Sequence, residues 1–180
     1  NWIGVDISGG APLGNRAQGV CPAAGTMGAV IGPDNVIAYN GAFGVLMDPQ
    51  GVESAIPVVL MRNRIYANGD RLFTGGDIGS FVPPRLRVAP PTLRVEATGV
   101  HGAASASGAQ VEVYAGDRPG ELRTYLGTAT TGTDGAFTLG VPGARMQGQW
   151  VTALLTAEAD GVSATSLPAA AFRVGAPLLL

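Results

Sequence analysis

The sequence contains no lysine, one histidine and one cysteine among its 180 residues. A single cysteine, Cys21, excludes an internal disulfide framework, and we expect it to be a small buried apolar side chain. One histidine and one cysteine cannot supply a conventional zinc site, so no metal and no cofactor are predicted. His101 lacks the Gly-x-Ser-x-Gly frame of a nucleophile elbow and is expected to face solvent. Its neighbours that could complete a Ser-His-Asp triad are Ser105, Ser107 and Asp117.

Charge and long apolar runs are also scarce. Charged residues make up 13% of the chain and the net charge is −2, which gives no basic surface for nucleic acid. An apolar run of about 18 residues is missing, so no membrane span is predicted. The glycine-rich segments lack the Gly-Lys-Ser/Thr ending of a phosphate loop. The chain starts at Asn1 without a basic-then-apolar leader, and we expect either that a leader has been removed or that the chain is a piece of something longer.

What the sequence does contain is a repeat of asparagines. All six asparagines precede residue 70, and two short motifs recur among them. Asn-x-Ile begins at residues 1, 35 and 63, so the starts are 34 and 28 residues apart, and Asn-x-x-x-Gly-Val begins at residues 15 and 40. A glycine-rich repeat of this length without helical periodicity indicates a solenoid of strands. The asparagines predicted to mark its corners are Asn1, Asn15, Asn35, Asn40, Asn63 and Asn68.

Strand alternation supports this interpretation. In "VVLMRNRI", Val59, Met61, Asn63 and Ile65 alternate with the other residues, as in a strand with one buried face. Asparagine suits a corner because it tolerates left-handed backbone and its amide both donates and accepts hydrogen bonds. At the inter-strand spacing of roughly 4.8 Å, identical amides can bond along a ladder.

These segments resemble a known family, the right-handed parallel β-helix repeat proteins of bacterial surfaces. The resemblance rests on "NWIGVDISGGAPLGNRAQGV", "NVIAYNGAFGVLM" and "NRIYANG", in that order, over residues 1–69. It implies a secreted protein of the extracellular space or cell surface. Family members often continue into a small β-sandwich, but "DRLFTGGDIGSFVPP" departs from their pattern.

The rest of the chain has a different character. Residues 70–91 carry Gly-Gly and Pro-Pro pairs and are predicted to be a connector. Residues 92–174 contain about six short alternating strands, with a hairpin signal at residues 133–135, which favours an antiparallel sandwich. "SGAQVEVYAGD" and "YLGTATTGTDGAFTLGVP" resemble bacterial immunoglobulin-like modules, with Trp150 expected in the sandwich core. The predicted fold is therefore all-β, a short right-handed parallel β-helix followed by an immunoglobulin-like β-sandwich.

Carboxylates are the main enzymatic alternative, because β-helices host polysaccharide lyases and glycosidases. Glycoside hydrolysis needs two carboxyl groups, one of them a proton donor. Its aspartate candidates each adjoin glycine or proline in an expected loop, where aspartate is favoured as a turn former. Asp34, Asp48, Asp70 and Asp77 could also offer calcium oxygen ligands, although no calcium-loop repeat is present. The carboxylate candidates are Asp48, Glu53, Asp70 and Asp77.

We therefore predict a non-enzymatic structural protein that forms a homo-oligomer or filament. Trp2 and Ile3 lie in the first coil, whose unpaired strand edge is expected to join copies head to tail. The apolar tail, residues 175–180, is expected to pack on a neighbouring subunit through Leu178, Leu179 and Leu180. The alternative is a module that binds or cleaves carbohydrate, for which a surface glycan would be the partner.

Overall fold

The fold was obtained as a computed structural model, which describes residues 1–22, 26, 28–47, 58–69, 76–80, 88–159 and 161–175. The protein is all-β, with no α-helix in these ranges and only one 3₁₀ turn, Gly143–Arg145. None of the described segments is a helix long and apolar enough to cross a membrane. Asp48, Glu53, Asp70, Leu178, Leu179 and Leu180 lie outside the described residues.

Seven short strands form three parallel sheets in the first 80 residues. The sheets are β1-β3-β6, β2-β5 and β4-β7, and Val20 extends the last of these by a parallel bridge to Val45. Their bounds are β1 Trp2–Ile3, β2 Ala29–Ile31, β3 Val36–Ala38, β4 Val45–Met47, β5 Val58–Leu60, β6 Arg64–Tyr66 and β7 Ile78–Ser80.

The chain visits these three sheets in a fixed order. The first circuit is β1, Val20 and β2, the second is β3, β4 and β5, and the third is β6 and β7. Ile3 pairs with Ile37 and Ile37 with Ile65, which repeats the 34- and 28-residue intervals of the sequence. Pairing of β7 with β4 carries the circuits to residue 80, past the expected boundary at residue 69.

The corners of the circuits differ from the sequence-based expectation in one respect. Left-handed backbone falls on the residue before four of the corner asparagines, Asn35, Asn40, Asn63 and Asn68, rather than on the asparagine itself. The φ angles are 60° at Asp34, 59° at Tyr39, 43° at Arg62 and 53° at Ala67. One such corner interrupts "VVLMRNRI": Val58 and Leu60 point into the core from β5, and Ile65 does so from β6. The single alternating strand predicted there is therefore two strands, because the corner reverses which positions face inward.

Eight antiparallel strands follow, arranged in two sheets that pack as a sandwich. One sheet has the order β11-β10-β13-β14 with β15 also paired to β13, and the other has the order β12-β9-β8. The residues at 133–135 make a tight turn, but it links β11 to β12 in different sheets, so it is not the predicted hairpin. The strand bounds are β8 Thr92–Glu96, β9 Gly99–Ala103, β10 Gln110–Gly116, β11 Thr124–Thr130, β12 Ala136–Gly140, β13 Trp150–Ala159, β14 Val162–Thr165 and β15 Phe172–Arg173.

The larger antiparallel sheet lies between the smaller sheet and the parallel circuits. Val113 of β10 and Ala153 of β13 face the sandwich core. Their neighbours Tyr114 and Leu154 face the opposite way and join the apolar cluster of the circuits. Since alternate residues of a strand point to opposite faces, this sheet is buried on both sides over part of its length. The segments on either side of residues 70–91 thus share one apolar cluster.

Candidate functional site

Two columns of asparagine side chains run along the stacked circuits. In the first column, Asn1 Nδ2 donates to Asn35 Oδ1 and Asn35 Nδ2 donates to Asn63 Oδ1, each over 2.9 Å. The column ends where Asn63 Nδ2 donates to the carbonyl oxygen of Ile31 at 2.7 Å. Asn1 and Asn35 thus both donate toward the third circuit, whereas Asn63 donates back to β2 of the first circuit.

The second column runs from the first circuit to the third, and each of its steps has both a backbone and a side-chain hydrogen bond. Asn15 donates both its backbone N–H and Nδ2–H to Asn40 Oδ1, over 3.1 and 3.0 Å. Asn40 donates the same pair of N–H groups to Asn68 Oδ1 at 3.1 and 2.9 Å. Asn68 in turn donates both groups to Asp77 Oδ1 at 3.1 and 2.9 Å. A carboxylate therefore takes the position of the next acceptor, and an ionised carboxylate has no N–H to pass the column on.

Asp77 stands where the earlier circuits have glycine. Val20 N–H donates to the Gly44 carbonyl and Val45 N–H to the Asp77 carbonyl, so Gly19, Gly44 and Asp77 are equivalent positions. A Cβ at Gly19 would lie 2.7 Å from Asn40 Nδ2, and one at Gly44 would lie 2.6 Å from Asn68 Nδ2. A side chain fits at this position only in the third circuit, because no asparagine of a following circuit occupies the space of its Cβ.

The opposite end of both columns is open. Asn1 and Asn15 are exposed, whereas Asn35 and Asn40, the second member of each column, are buried. Within the described part of the chain, no group donates a hydrogen bond to Oδ1 of Asn1 or Asn15. Both oxygens therefore remain available as acceptors at the first circuit.

Apolar side chains are exposed at the same end, which we call the first-circuit edge. It consists of the free edge of β1 and the exposed side chains of the first circuit. Ile7 is 91% exposed and Leu13 71% exposed, with Trp2 and Val30 also more than half exposed. Inside the stack, Ile3 is only half-buried although Ile37 and Ile65, with which it aligns, are fully buried. The first-circuit edge thus combines the outer side of β1, apolar side chains and two amide acceptors, while the residues that follow β1, 4–6, already pair with residues 11–13.

The third-circuit end is covered by the sandwich. Ile65 and Leu122 exchange backbone hydrogen bonds of 3.0 and 2.8 Å, which pairs the outer edge of β6. The Glu112 carboxylate accepts the Arg62 N–H at 2.9 and 3.1 Å, and Leu60 N–H donates to Thr165 Oγ1 at 3.0 Å. The backbone groups of Leu60, Arg62 and Ile65 that take part in these bonds are therefore not available to another strand.

A cavity of about 340 Å³ lies at the junction of the circuits and the sandwich. Its wall includes Asn68, Asp77, Arg118, Glu121 and Pro168. Burial raises the pKa of Asp77 to about 6, against the lowering effect of the Asn68 hydrogen bonds. Glu121 is buried and accepts hydrogen bonds from the backbone N–H groups of Ala67, Asp117 and Arg118. A carboxyl group with this pKa could exchange a proton near neutral pH.

The other residues singled out from the sequence lie away from this cavity. His101 is half-buried in β9, with Nδ1 3.1 Å from Thr138 Oγ1, rather than facing solvent freely. Cys21 is exposed, not buried as expected, because it follows the Val20 bridge where the chain leaves the sheet. Trp150 is half-buried at the start of β13 and lies outside the sandwich core cluster. Asp34 forms a surface ion pair with Arg62 at 3.1 Å.

The structure brings the six asparagines together and identifies carboxylates that the sequence did not single out. Glu112 has the sequence pattern of an outward polar residue in an alternating strand, and only packing of the circuits on β10 buries it. No group of three or more metal-ligating side chains occurs among the described residues. No protein-family model matches the chain, and neither does any curated protein.

Proposed function

We propose that this chain is a non-enzymatic extracellular structural protein that joins a surface assembly through its first-circuit edge. In this proposal residues 1–80 form a short right-handed parallel β-helix, and residues 92–174 form an immunoglobulin-like β-sandwich. The fixed order in which the chain visits three parallel sheets, with two asparagine columns along them, supports the first part. The two packed antiparallel sheets support the second.

The observation that carries the proposal is the contrast between the two ends of the circuits. The third-circuit end is bonded to Leu122, Glu112 and Thr165. The first-circuit edge has an unpaired strand together with exposed large apolar side chains, a combination typical of an association surface. The first-circuit edge is therefore the surface that we propose for attachment.

The covered end also restricts how copies could join. A filament in which the third circuit of one copy receives the first circuit of the next needs a free β6 edge. Leu122 occupies that edge. Head-to-tail stacking of circuits is therefore disfavoured. If the first-circuit edge attaches to something, its partner must be a surface other than the third circuit of another copy.

A second candidate function rests on the junction cavity. Asp77, with a pKa of about 6, lies beside the buried Glu121 in a cavity of about 340 Å³. A carboxyl group with a strongly raised pKa in a cavity is a feature of proton donors in glycoside hydrolysis. A module that cleaves carbohydrate is therefore the competing proposal.

Product analysis after incubation with a mixed panel of polysaccharides separates the two functions. We expect no oligosaccharide release by the wild-type chain. The informative variant is Asp77→Asn, and Asp134→Asn, an exposed turn residue, is its matched control. Steady release that Asp77→Asn abolishes and Asp134→Asn preserves would overturn the structural proposal.

A further inference from the structure

We propose that Asn40 and Asn68 are sites of spontaneous deamidation, which the folded asparagine column prevents and which makes unfolding of the circuits irreversible. This chemistry belongs to the chain itself and is independent of the attachment surface proposed above. Its basis is the glycine that follows each of these asparagines, together with the hydrogen bonds that both dipeptides make in the fold.

Two of the six asparagines are followed by glycine, Asn40 by Gly41 and Asn68 by Gly69. A glycine at this position favours deamidation because, without a Cβ, its backbone nitrogen can reach the asparagine side chain. The glycine nitrogen bonds to Cγ, the Cγ–Nδ2 bond breaks, and ammonia leaves with the proton from the glycine nitrogen. Water then opens the resulting succinimide ring at either carbonyl carbon and leaves aspartate or isoaspartate. The reaction needs no oxidant, reductant or cofactor.

The corners of the circuits disfavour any residue other than glycine at these two positions. A Cβ on Gly41 would lie 2.5 Å from the carbonyl oxygen of Arg16. Gly69 has a φ of 78°, in the left-handed region. The geometry of the circuits therefore places a reactive asparagine dipeptide in the second column twice.

The folded column keeps both dipeptides from reacting. Gly41 N–H donates to the Asn15 carbonyl at 2.8 Å. Gly69 N–H donates to the Asn40 carbonyl at 2.9 Å, so neither glycine nitrogen is free to attack. The side-chain amides of Asn40 and Asn68 donate to buried oxygens, and both residues are at most 5% exposed. Rotation of either side chain toward the following nitrogen would break these bonds, so deamidation requires an opened circuit.

The products of deamidation do not fit the column. Aspartate at residue 40 would place an acceptor against Asn68 Oδ1, to which the Asn40 amide now donates over 2.9 Å. Aspartate at residue 68 would face the Asp77 carboxylate, and two adjacent carboxylates oppose each other's ionisation. Isoaspartate lengthens the backbone and shifts the residues after it out of register. A chain that has deamidated while unfolded therefore cannot rebuild the second column.

Peptide mapping of the whole chain tests the protection. The native chain and the chain unfolded in guanidinium chloride are held at pH 8, with a reductant that keeps Cys21 as a thiol. Aspartate and isoaspartate are then quantified by mass spectrometry after digestion with pepsin. We expect deamidation at Asn40 and Asn68 to be at least about 100-fold slower in the native chain, since it proceeds only through the open population.

The same samples contain their own control. Asn35 and Asn63 are followed by valine and arginine, so in the unfolded chain they should react much more slowly than Asn40 and Asn68. Equal rates in the native and the unfolded chain would overturn the proposal. Equal rates at Asn35 and Asn40 in the unfolded chain would do the same.

Refolding measures the consequence for the fold. Chains held unfolded at pH 8 for increasing times are diluted into native buffer, and the refolded fraction is isolated by size-exclusion chromatography. The matched control is the same denaturant at pH 5, where the glycine nitrogen loses its proton too slowly to attack. We expect the yield to fall with time at pH 8 alone, and the refolded chains to carry unmodified Asn40 and Asn68. Modified chains that refold in the proportion present before dilution would show that deamidation does not block the column.

Discussion

The parallel circuits and the antiparallel sandwich hold their strands together by different means. Strands of the circuits are two or three residues long, and those of the sandwich reach ten. The circuits bury four asparagines, at most 6% exposed, along their edges. The sandwich buries scattered polar residues as well, but its large core cluster is built from apolar side chains of longer strands.

This difference follows from strand length. A two- or three-residue strand offers few backbone hydrogen bonds and few inward side chains, so each circuit needs additional links to the next. Stacked amides provide them at two corners of the circuits, in addition to the backbone ladder. A seven- to ten-residue strand has a longer backbone ladder and enough alternating apolar side chains to be held without stacked amides. Changes to the two regions should therefore have different consequences, except where the regions share a cluster.

The largest effect is expected from Leu154→Ala, at that shared cluster. Leu154 is 1% exposed and packs on the circuits, and deletion of a buried leucine side chain costs about 2–5 kcal/mol. Both regions should unfold in one transition. The two tryptophans, Trp2 and Trp150, report on one region each, so fluorescence of Trp150→Phe and Trp2→Phe backgrounds in urea measures them separately. Separate midpoints for the two reporters would show that the regions are independent.

A smaller loss is expected from Asn40→Val in the middle of a column. The change removes two side-chain hydrogen bonds, to Asn68 Oδ1 and the Ala38 carbonyl, and leaves Asn15 without its acceptor. Since unsatisfied buried groups cost about 1–3 kcal/mol each, we expect a loss of roughly 3 kcal/mol in the free energy of unfolding. Asn15→Val, at the exposed end, should cost about 1 kcal/mol. Equal losses measured by urea denaturation would contradict the distinction between buried and open positions.

A still smaller change in the free energy of unfolding, and one that depends on pH, is expected from Asp77→Asn. The folded-state pKa of Asp77 is raised from 3.8 to about 6, so the folded protein binds this proton more tightly than the unfolded chain. The stabilisation of the folded state by protonated Asp77 is fully present below pH 4 and is lost as pH rises through 6. The loss is roughly 2 kcal/mol after allowance for partial exposure. The amide introduced by Asp77→Asn keeps an oxygen acceptor for Asn68, so the variant should exceed wild type in stability at pH 8 and match it at pH 4. Parallel urea curves at these two pH values measure this, and a constant difference between them would contradict the assignment.

The smallest effect concerns a corner residue. Ala67 has a φ of 53°, in the region that costs an alanine about 1–2 kcal/mol and a glycine almost nothing. Ala67→Gly should raise the free energy of unfolding by about 0.5–1 kcal/mol despite the added chain entropy. Ala129→Gly, within β11, should lower it by about 1 kcal/mol and serves as the control. Thermal unfolding compares them, and a loss in both variants would mean that the corner is not strained.

Much of the circuit region could be predicted because its features repeat. Equivalent residues of stacked circuits face one another, so a residue type that bonds to itself leaves a period in the sequence. Asn35, Asn40, Asn63 and Asn68 show that period, and the aligned isoleucines share it. The corners were less predictable, because the residues with left-handed backbone have no side-chain chemistry in common. These residues are Asp34, Tyr39, Arg62 and Ala67.

The sequence alone determined the all-β class, the asparagine repeat and the alternation of the later strands, because each depends on neighbours at a fixed interval along the chain. Only the tertiary structure decided that the sandwich closes the third circuit, because Leu122 and Glu112 meet Ile65 and Arg62 across long stretches of sequence. It also decided what Asp77 does. Its position between glycine and isoleucine is typical of a turn former. It ends an asparagine column only because the circuits place its carboxylate next to Asn68, where it accepts the hydrogen bond that an asparagine accepts in the earlier circuits.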